Sequence, residues 1–387
     1  KDDAQPFLLT RVQTEKRLAE LTAKAAAAWK QGIALAQTPA EKADAHYIEG
    51  WGMRLLRRYL TPSESDEEAV GLFVVKGIPS KKEIADAFEK ATALAPQNAL
   101  LWQARADALE PGEEADNAYK KALELSAGKN ANLAYLLYNR TAAATSLENI
   151  DKWSLALGYL RQAADRDRAN AWPLYEEAGI LFRYAPYSLT GPSGNPNATE
   201  PEKEMRRQAV RNDAARQSGR RAIDLVEDGN RAPRFEAPRY TDSVPKLLEA
   251  AWHFRRDFPN DLGNYARVRE LARSCSGYAQ FMAEFEKQPS EAERALNAVV
   301  GLGFRMIGDW PTEDDFATGE TIIQGLVGVA VVGIGYKSRE KLYEFQGNAD
   351  KLAMAQAENA HFKLRVDAYR AAVTAALARI PNEFDHY

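Results

Sequence analysis

The stretch Ile84-Ala85-Asp86-Ala87-Phe88-Glu89-Lys90-Ala91-Thr92-Ala93-Leu94-Ala95-Pro96 decides how the rest of the chain is read. Ile84, Phe88 and Ala91 stand four and three residues apart, a spacing that puts them on one face of a helix. The same spacing returns as Ala115, Tyr119, Ala122 and again as Ala156, Leu160, Ala163. In each set a small residue lets a neighbouring helix come close, and a large one fills the groove opposite. Ala91 and Ala122 are 31 residues apart, and Ala122 and Ala163 are 41 apart. A packing signature that recurs over such a period predicts stacked helix pairs.

These residues resemble the tetratricopeptide repeat (TPR) family. Phe88-x-x-Ala91-x-x-x-x-Pro96 is similar to the end of one repeat. Trp102 falls where the next repeat usually carries a tryptophan, and Ala106 falls at its small position. Asn170-Ala171-Trp172-Pro173-Leu174-Tyr175-Glu176-Glu177-Ala178-Gly179 resembles the opening of a further first helix, with Ala178 at the small position. The two steps bracket the 34-residue period of the family. Arg105 stands where a leucine is usual, and Arg168 where the terminal proline is usual. The matched part covers about residues 81–185, under a third of the chain. The resemblance implies an all-α solenoid of antiparallel helix pairs whose concave surface holds a protein or peptide.

Outward from this core, residues 1–80 read as an N-terminal helical segment, with helices from about Leu8 to Ala36 and Pro39 to Tyr59. Alanine and unbranched residues dominate there, which favours helix. The short apolar run Val70–Val75 reads as a packed loop, since one strand would have nothing to pair with. Residues 81–185 hold the repeats, and 186–245 form a third segment: a Pro/Gly-rich loop, an arginine-rich helix from about Glu202 to Val226, and a linker. Residues 246–387 read as a C-terminal helical region that either continues the solenoid or forms a separate helical domain. Its helices are expected at Ser243–Phe258, Leu262–Lys287, Ser290–Ile307, Asp314–Phe345 and Asn348–Ile380. Thr312-x-x-Asp315 resembles a capping box for the fourth. Phe362, Val366, Tyr369, Val373 and Leu377 give the last an apolar stripe.

Composition narrows the function classes. The chain has 387 residues, 45% hydrophobic and 27% charged, with a formal net charge of −4. That balance is a poor match to a general nucleic-acid binder, so no nucleic-acid partner is expected. The longest apolar run, Ile322 to Tyr336, spans about 22 Å as a helix, short of a bilayer core of roughly 30 Å. It reads as a buried helix rather than a membrane span. The first residue is Lys1 rather than Met, which tips the expected location towards an exported, extracytoplasmic chain over a cytoplasmic one.

Side chains able to carry chemistry are sparse. Cys275 is the only cysteine, so no intramolecular disulfide and no cysteine-based zinc site is possible. Arg273-Ser274-Cys275-Ser276-Gly277 forms no nucleophile signature, and Cys275 reads as a small core residue. Glu358-x-x-His361 has the spacing of half a di-iron carboxylate site; a complete site needs a facing partner motif and two more glutamates. Gly333-Ile334-Gly335-Tyr336-Lys337-Ser338 departs from a phosphate-binding loop, because Tyr336 stands where glycine must precede the lysine. Gly325, Val329 and Gly333 instead suggest close helix packing at every fourth residue. Arg206 to Arg239 holds nine arginines against five acidic residues, with Phe235 its only aromatic residue, and reads as a solvated helix plus an anchored loop. Of two sequons, Asn139-x-Thr141 lies in an expected helix, while Asn197-x-Thr199 lies in the Pro/Gly loop.

No catalytic residue, metal site or cofactor is therefore expected. The functional expectation is a protein-interaction scaffold for a protein or peptide, another copy of itself included. The alternative is a structural subunit of a homo-oligomer, filament or larger complex. An enzyme built as a helical toroid around a carboxylate-lined cavity ranks last.

Overall fold

The computed structural model describes residues 11–60, 78–143, 150–184, 213–236, 258–308 and 322–379. Among these residues there are thirteen α-helices and no strand, so the chain is all-α, with neighbouring helices packed in pairs. It gathers into two compact units that divide between Arg166 and Asp167.

The first unit contains α1 (Arg11–Leu35), α2 (Pro39–Leu60), α3 (Lys81–Leu94), α4 (Ala99–Ala108), α5 (Glu113–Leu125), α6 (Ala131–Ala143) and α7 (Ile150–Arg166). Each helix packs on the next in the chain, and α2 also touches α4, giving a solenoid-like succession. The start of α3 is written locally. The Ser80 hydroxyl accepts from the Glu83 amide at 3.1 Å, and the Glu83 carboxylate accepts from the Ser80 amide at 2.8 Å. This reciprocal cap satisfies two donors that a helix start otherwise leaves open. Asn98 caps α4 through the Leu100 amide at 3.0 Å. The α5 helix ends where Ala127 and Gly128 both take positive φ, the left-handed turn that releases a helix.

Phe88 centres the core of this unit. It is fully buried among Tyr47, Trp51, Ile84, Leu101 and Ala104, with Trp29 packed alongside. Its ring meets Tyr47 edge-on at 6.3 Å and Trp51 edge-on at 6.0 Å. Gly50 makes room for it, since a Cβ there would lie 2.8 Å from the ring. Burying such a side chain contributes about 1.5–3 kcal/mol.

The second unit contains α8 (Trp172–Tyr184), α9 (Asp213–Arg231), α10 (Phe258–Glu284), α11 (Pro289–Ile307), α12 (Ile322–Phe345) and α13 (Ala349–Arg379). Its packing skips along the chain: α8 meets α9 and α10, α9 meets α11, and α10 meets α11 and α12. The α11–α12 pair is antiparallel, with Val300 beside Gly335 and Ile307 beside Gly328. A Cβ on Gly303 would stand 2.6 Å from the Val332 amide nitrogen and 2.9 Å from the Gly328 carbonyl, so glycine here is what lets two backbones touch. Phe362 and Val366 of α13 then close over Tyr336, Val332 and Ile307.

The apolar run Ile322 to Tyr336 lies in a helix that buries Val331, Val332 and Tyr336 and leaves Leu326 42% exposed, and no helix among the described residues is long and apolar enough to cross a membrane. The glycine phase differs from the sequence expectation. Gly328 and Gly335 face α11 and Gly325 faces Tyr369, whereas Gly333 has nothing close to it. The arginine-rich helix runs to Arg231 rather than Val226, because Val226 and Gly229 are still buried. The Val70–Val75 run, the Pro/Gly loop, residues 243–257 of the expected Ser243–Phe258 helix and the Thr312 cap lie outside the described residues, while Phe258 begins α10 instead of ending the helix before it.

Candidate protein-interaction site

Most of the twelve repeat positions go into the core. Phe88, Ala91, Ala106, Ala115, Tyr119, Ala122, Ala156, Leu160, Ala163 and Ala178 are buried. Pro96 is exposed, and Trp102 is half-buried, its indole nitrogen donating to the Pro96 carbonyl at 2.8 Å. Arg105, which replaces an expected apolar residue, donates to Glu114 at 3.0 Å, sits 3.5 Å from Glu89, and lies over the Trp102 ring at 5.6 Å. It thereby ties α3, α4 and α5 together by charge where the repeat pattern would use a leucine.

A cluster of rings and charges rises from this core. Arg54 of α2 lies over the Trp51 ring at 4.8 Å. The Tyr119 hydroxyl of α5 donates to the Asp107 carboxylate of α4. Arg140 of α6 lies over the Tyr119 ring at 5.2 Å and donates to Asp116 at 2.7 Å. Burial, then the Asp107 charge and the bond to it, push the Tyr119 hydroxyl well up, against the pull of Arg140 and Arg54. Burial, then Asp107 and Asp44, push Tyr47 the same way. Both phenols therefore stay protonated at ordinary pH, and Tyr119 serves as a donor to Asp107. One turn before Asp107, Gln103 is only 2% exposed, and its amide nitrogen has no hydrogen-bond partner among the described residues. An orphan donor of this kind costs about 1–3 kcal/mol.

In the second unit the arginine-rich helix is tied to its neighbours through both its arginines and its acidic side chains. Arg216 donates to Glu286 at 2.9 Å and Arg220 to Gln288 at 3.2 Å. Arg294 of α11 reaches back to Asp224 at 2.5 Å and to Glu227 at 2.7 Å. At the start of α8 the chain holds its own segment 234–236. The Arg234 amide donates to the Ala169 carbonyl and the Ala171 amide to the Arg234 carbonyl, both at 2.8 Å. Phe235 packs on Trp172 at 5.3 Å and on Tyr175 at 5.8 Å.

The residues weighed for chemistry are placed apart from one another. Cys275 is wholly buried, and burial pushes its thiol up, away from the thiolate form. Glu358 pairs with Arg339 at 2.8 Å, while His361 is exposed on α13. Among the described residues no group of three or more His, Cys, Asp or Glu side chains converges as a metal site. A second Glu-x-x-His, Glu383 to His386, exists in the sequence but lies outside the described residues. Gly333 to Ser338 lie inside α12 and not on a loop. Asn139 lies in α6, half-buried, while Asn197 is outside the described residues.

One repeat-like seam escaped the sequence reading. Ala222, Val226 and Gly229 of α9 have the same spacing of four and three and are buried, with the Tyr175 ring set against Gly229. No protein-family model matches the chain, and no curated protein matches it.

Proposed function

We propose that the chain is a non-catalytic, TPR-like interaction scaffold that holds an extended peptide or protein segment across α2, α4 and α6 of the first unit. The observation that carries this reading is the alternation of the charged groups. Arg54, Asp107 and Arg140 come from every second helix and sit beside the rings of Trp51 and Tyr119. In a succession of helix pairs, every second helix lines the same side, and arginine and aromatic residues are the usual anchors of a bound partner. The TPR resemblance of residues 81–185 supports the same conclusion. A displayed peptide library, panned on the purified chain and on the Arg54→Ala/Asp107→Ala variant, tests it. The expected result is a recurring peptide pattern that binds the parent chain and loses affinity for the variant. Panning that converges on nothing, or peptides that bind both equally, would remove this reading.

A second reading, assembly of the chain with itself, is supported by apolar side chains left exposed on α1 and on α13. Leu35 of α1 is 70% exposed, and Met354 and Leu364 of α13 are 65% and 69% exposed. Terminal repeats of stable solenoids normally carry polar outer faces. Light scattering over a dilution series tests this; a mass that stays at 43.0 kDa throughout rules it out.

A further inference from the structure

Segment 234–236 is held at the start of α8 by contacts that read like recognition of a bound peptide. Its backbone forms a parallel bridge with Asn170, through two hydrogen bonds of 2.8 Å to Ala169 and Ala171. The Asn170 carboxamide then grips the next backbone position: its nitrogen donates to the Glu236 carbonyl at 2.9 Å, and its oxygen accepts from the Glu236 amide at 3.2 Å. That oxygen also accepts from the Trp172 amide at 3.1 Å, which fixes the orientation of the carboxamide. Two side chains are read as well. The Arg234 guanidinium donates to Asp167, and the Phe235 ring enters a corner made by the buried rings of Trp172 and Tyr175. Tyr175 is itself fixed, its hydroxyl donating to Asn230 at 2.9 Å. The Glu236 side chain is exposed and pairs with Arg234 at 3.2 Å, so among the described residues the third position is read through backbone.

We propose that residues 167–175 form a docking site for an extended peptide of the pattern basic, aromatic, any residue, and that Arg234–Glu236 occupies it as a built-in competitor. Main-chain pairing supplies affinity and two side-chain pockets supply choice, as in other strand-type peptide sites. Phe235 is only half-buried and Arg234 is exposed, so the occupant lies at the surface, whereas the residues that grip it, Asn170, Trp172 and Tyr175, are buried. The site belongs to the second unit and does not depend on the reading of the first.

The test uses the full chain and a fluorescein-labelled peptide, Ala-Pro-Arg-Phe-Glu, copied from residues 232–236. Its anisotropy is followed against the parent chain and against the Arg234→Ala/Phe235→Ala variant. The variant, with its own competitor weakened, is expected to bind saturably, and the parent on the order of 100-fold more weakly, because a tethered competitor acts at high effective concentration. Adding Asn170→Ala to the variant, or replacing Arg or Phe in the peptide with Ala, is expected to abolish binding. The proposal is overturned if the variant melts cooperatively and binds no peptide, or if binding survives Asn170→Ala. It is equally overturned if the variant loses cooperative unfolding, since the segment is then part of the core.

Discussion

Between α2 and α3 a glycine lies under an aromatic ring, whereas between α11 and α12 a glycine lies against main chain. Gly50 faces the Phe88 ring, and Gly52, two residues on and on another face of α2, lies against the Trp29 ring of α1. Gly303 and Gly328 instead face each other's backbone, with carbonyl and amide atoms inside 3.0 Å of where a Cβ would stand. A ring can tilt and a side chain can be trimmed, but a helix backbone moves only as a unit. The first seam therefore has give and the second has none. The two also differ at their starts, since Ser80 and Glu83 cap α3 reciprocally, while α11 begins at Pro289 with no side-chain cap from Gln288.

The largest effect is expected where the first seam keeps its ring. Phe88→Ala should cost about 3–5 kcal/mol of unfolding free energy, measured by urea denaturation, because the vacated space is closed on several sides. A loss under about 1 kcal/mol would mean that the seam collapses freely and is not centred on Phe88. Next comes the rigid seam. Gly303→Ala should cost about 1–3 kcal/mol by overpacking, and Val332→Ala should not recover it, so a double-mutant cycle should show coupling below about 0.5 kcal/mol. The matching cycle in the first seam should behave differently. Gly50→Ala should cost about 1 kcal/mol net of the helix propensity it gains, and Phe88→Leu should couple to it by more than about 0.5 kcal/mol, as the smaller side chain clears the new methyl. Equal coupling in both cycles would erase the distinction.

The smallest effect concerns the cap. Ser80→Ala should cost about 1 kcal/mol. The Ser80 backbone amide, with its hydroxyl, holds the Glu83 carboxyl below its ordinary value of 4.5. A carboxylate lowered in the folded state stabilises fully above its unfolded value, and that contribution is lost as pH falls through the lowered one. Melting temperatures recorded downward from pH 5 should therefore fall less steeply for Ser80→Ala than for the parent. An identical slope would mean that the Ser80 backbone amide, which the variant keeps, does all of the lowering.

The first seam was legible because it is periodic. Ile84, Phe88 and Ala91 announce a helix face through spacing alone, and all three are buried. The apolar run ending at Tyr336 announced a buried helix in the same way, but its phase was not readable. Gly325 and Gly328 are both glycines, and only the position of α11 makes Gly328 the contact. The Ala222, Val226, Gly229 seam was readable by the same rule, yet the surrounding arginines drew attention to charge. The ion pair of Arg216 was not readable, since it meets Glu286 across 70 positions of chain. The Asn170 grip on Glu236 spans 66 positions and depends on one carboxamide, which leaves no periodic trace. The Arg54, Asp107 and Arg140 cluster was likewise hidden, because it exists only once alternate helices are side by side.

The step-by-step contacts of α1 to α7 also bear on how the chain reaches its native state. Neighbour-on-neighbour contacts close small loops, and chains rich in such contacts fold fast. Among the described residues, the first helices rest mainly on the next helix in the chain, and α2 on α4 as well. The leading unit is thus suited to form while the ribosome is still adding residues, whereas α9 must wait for α11 before its second partner exists.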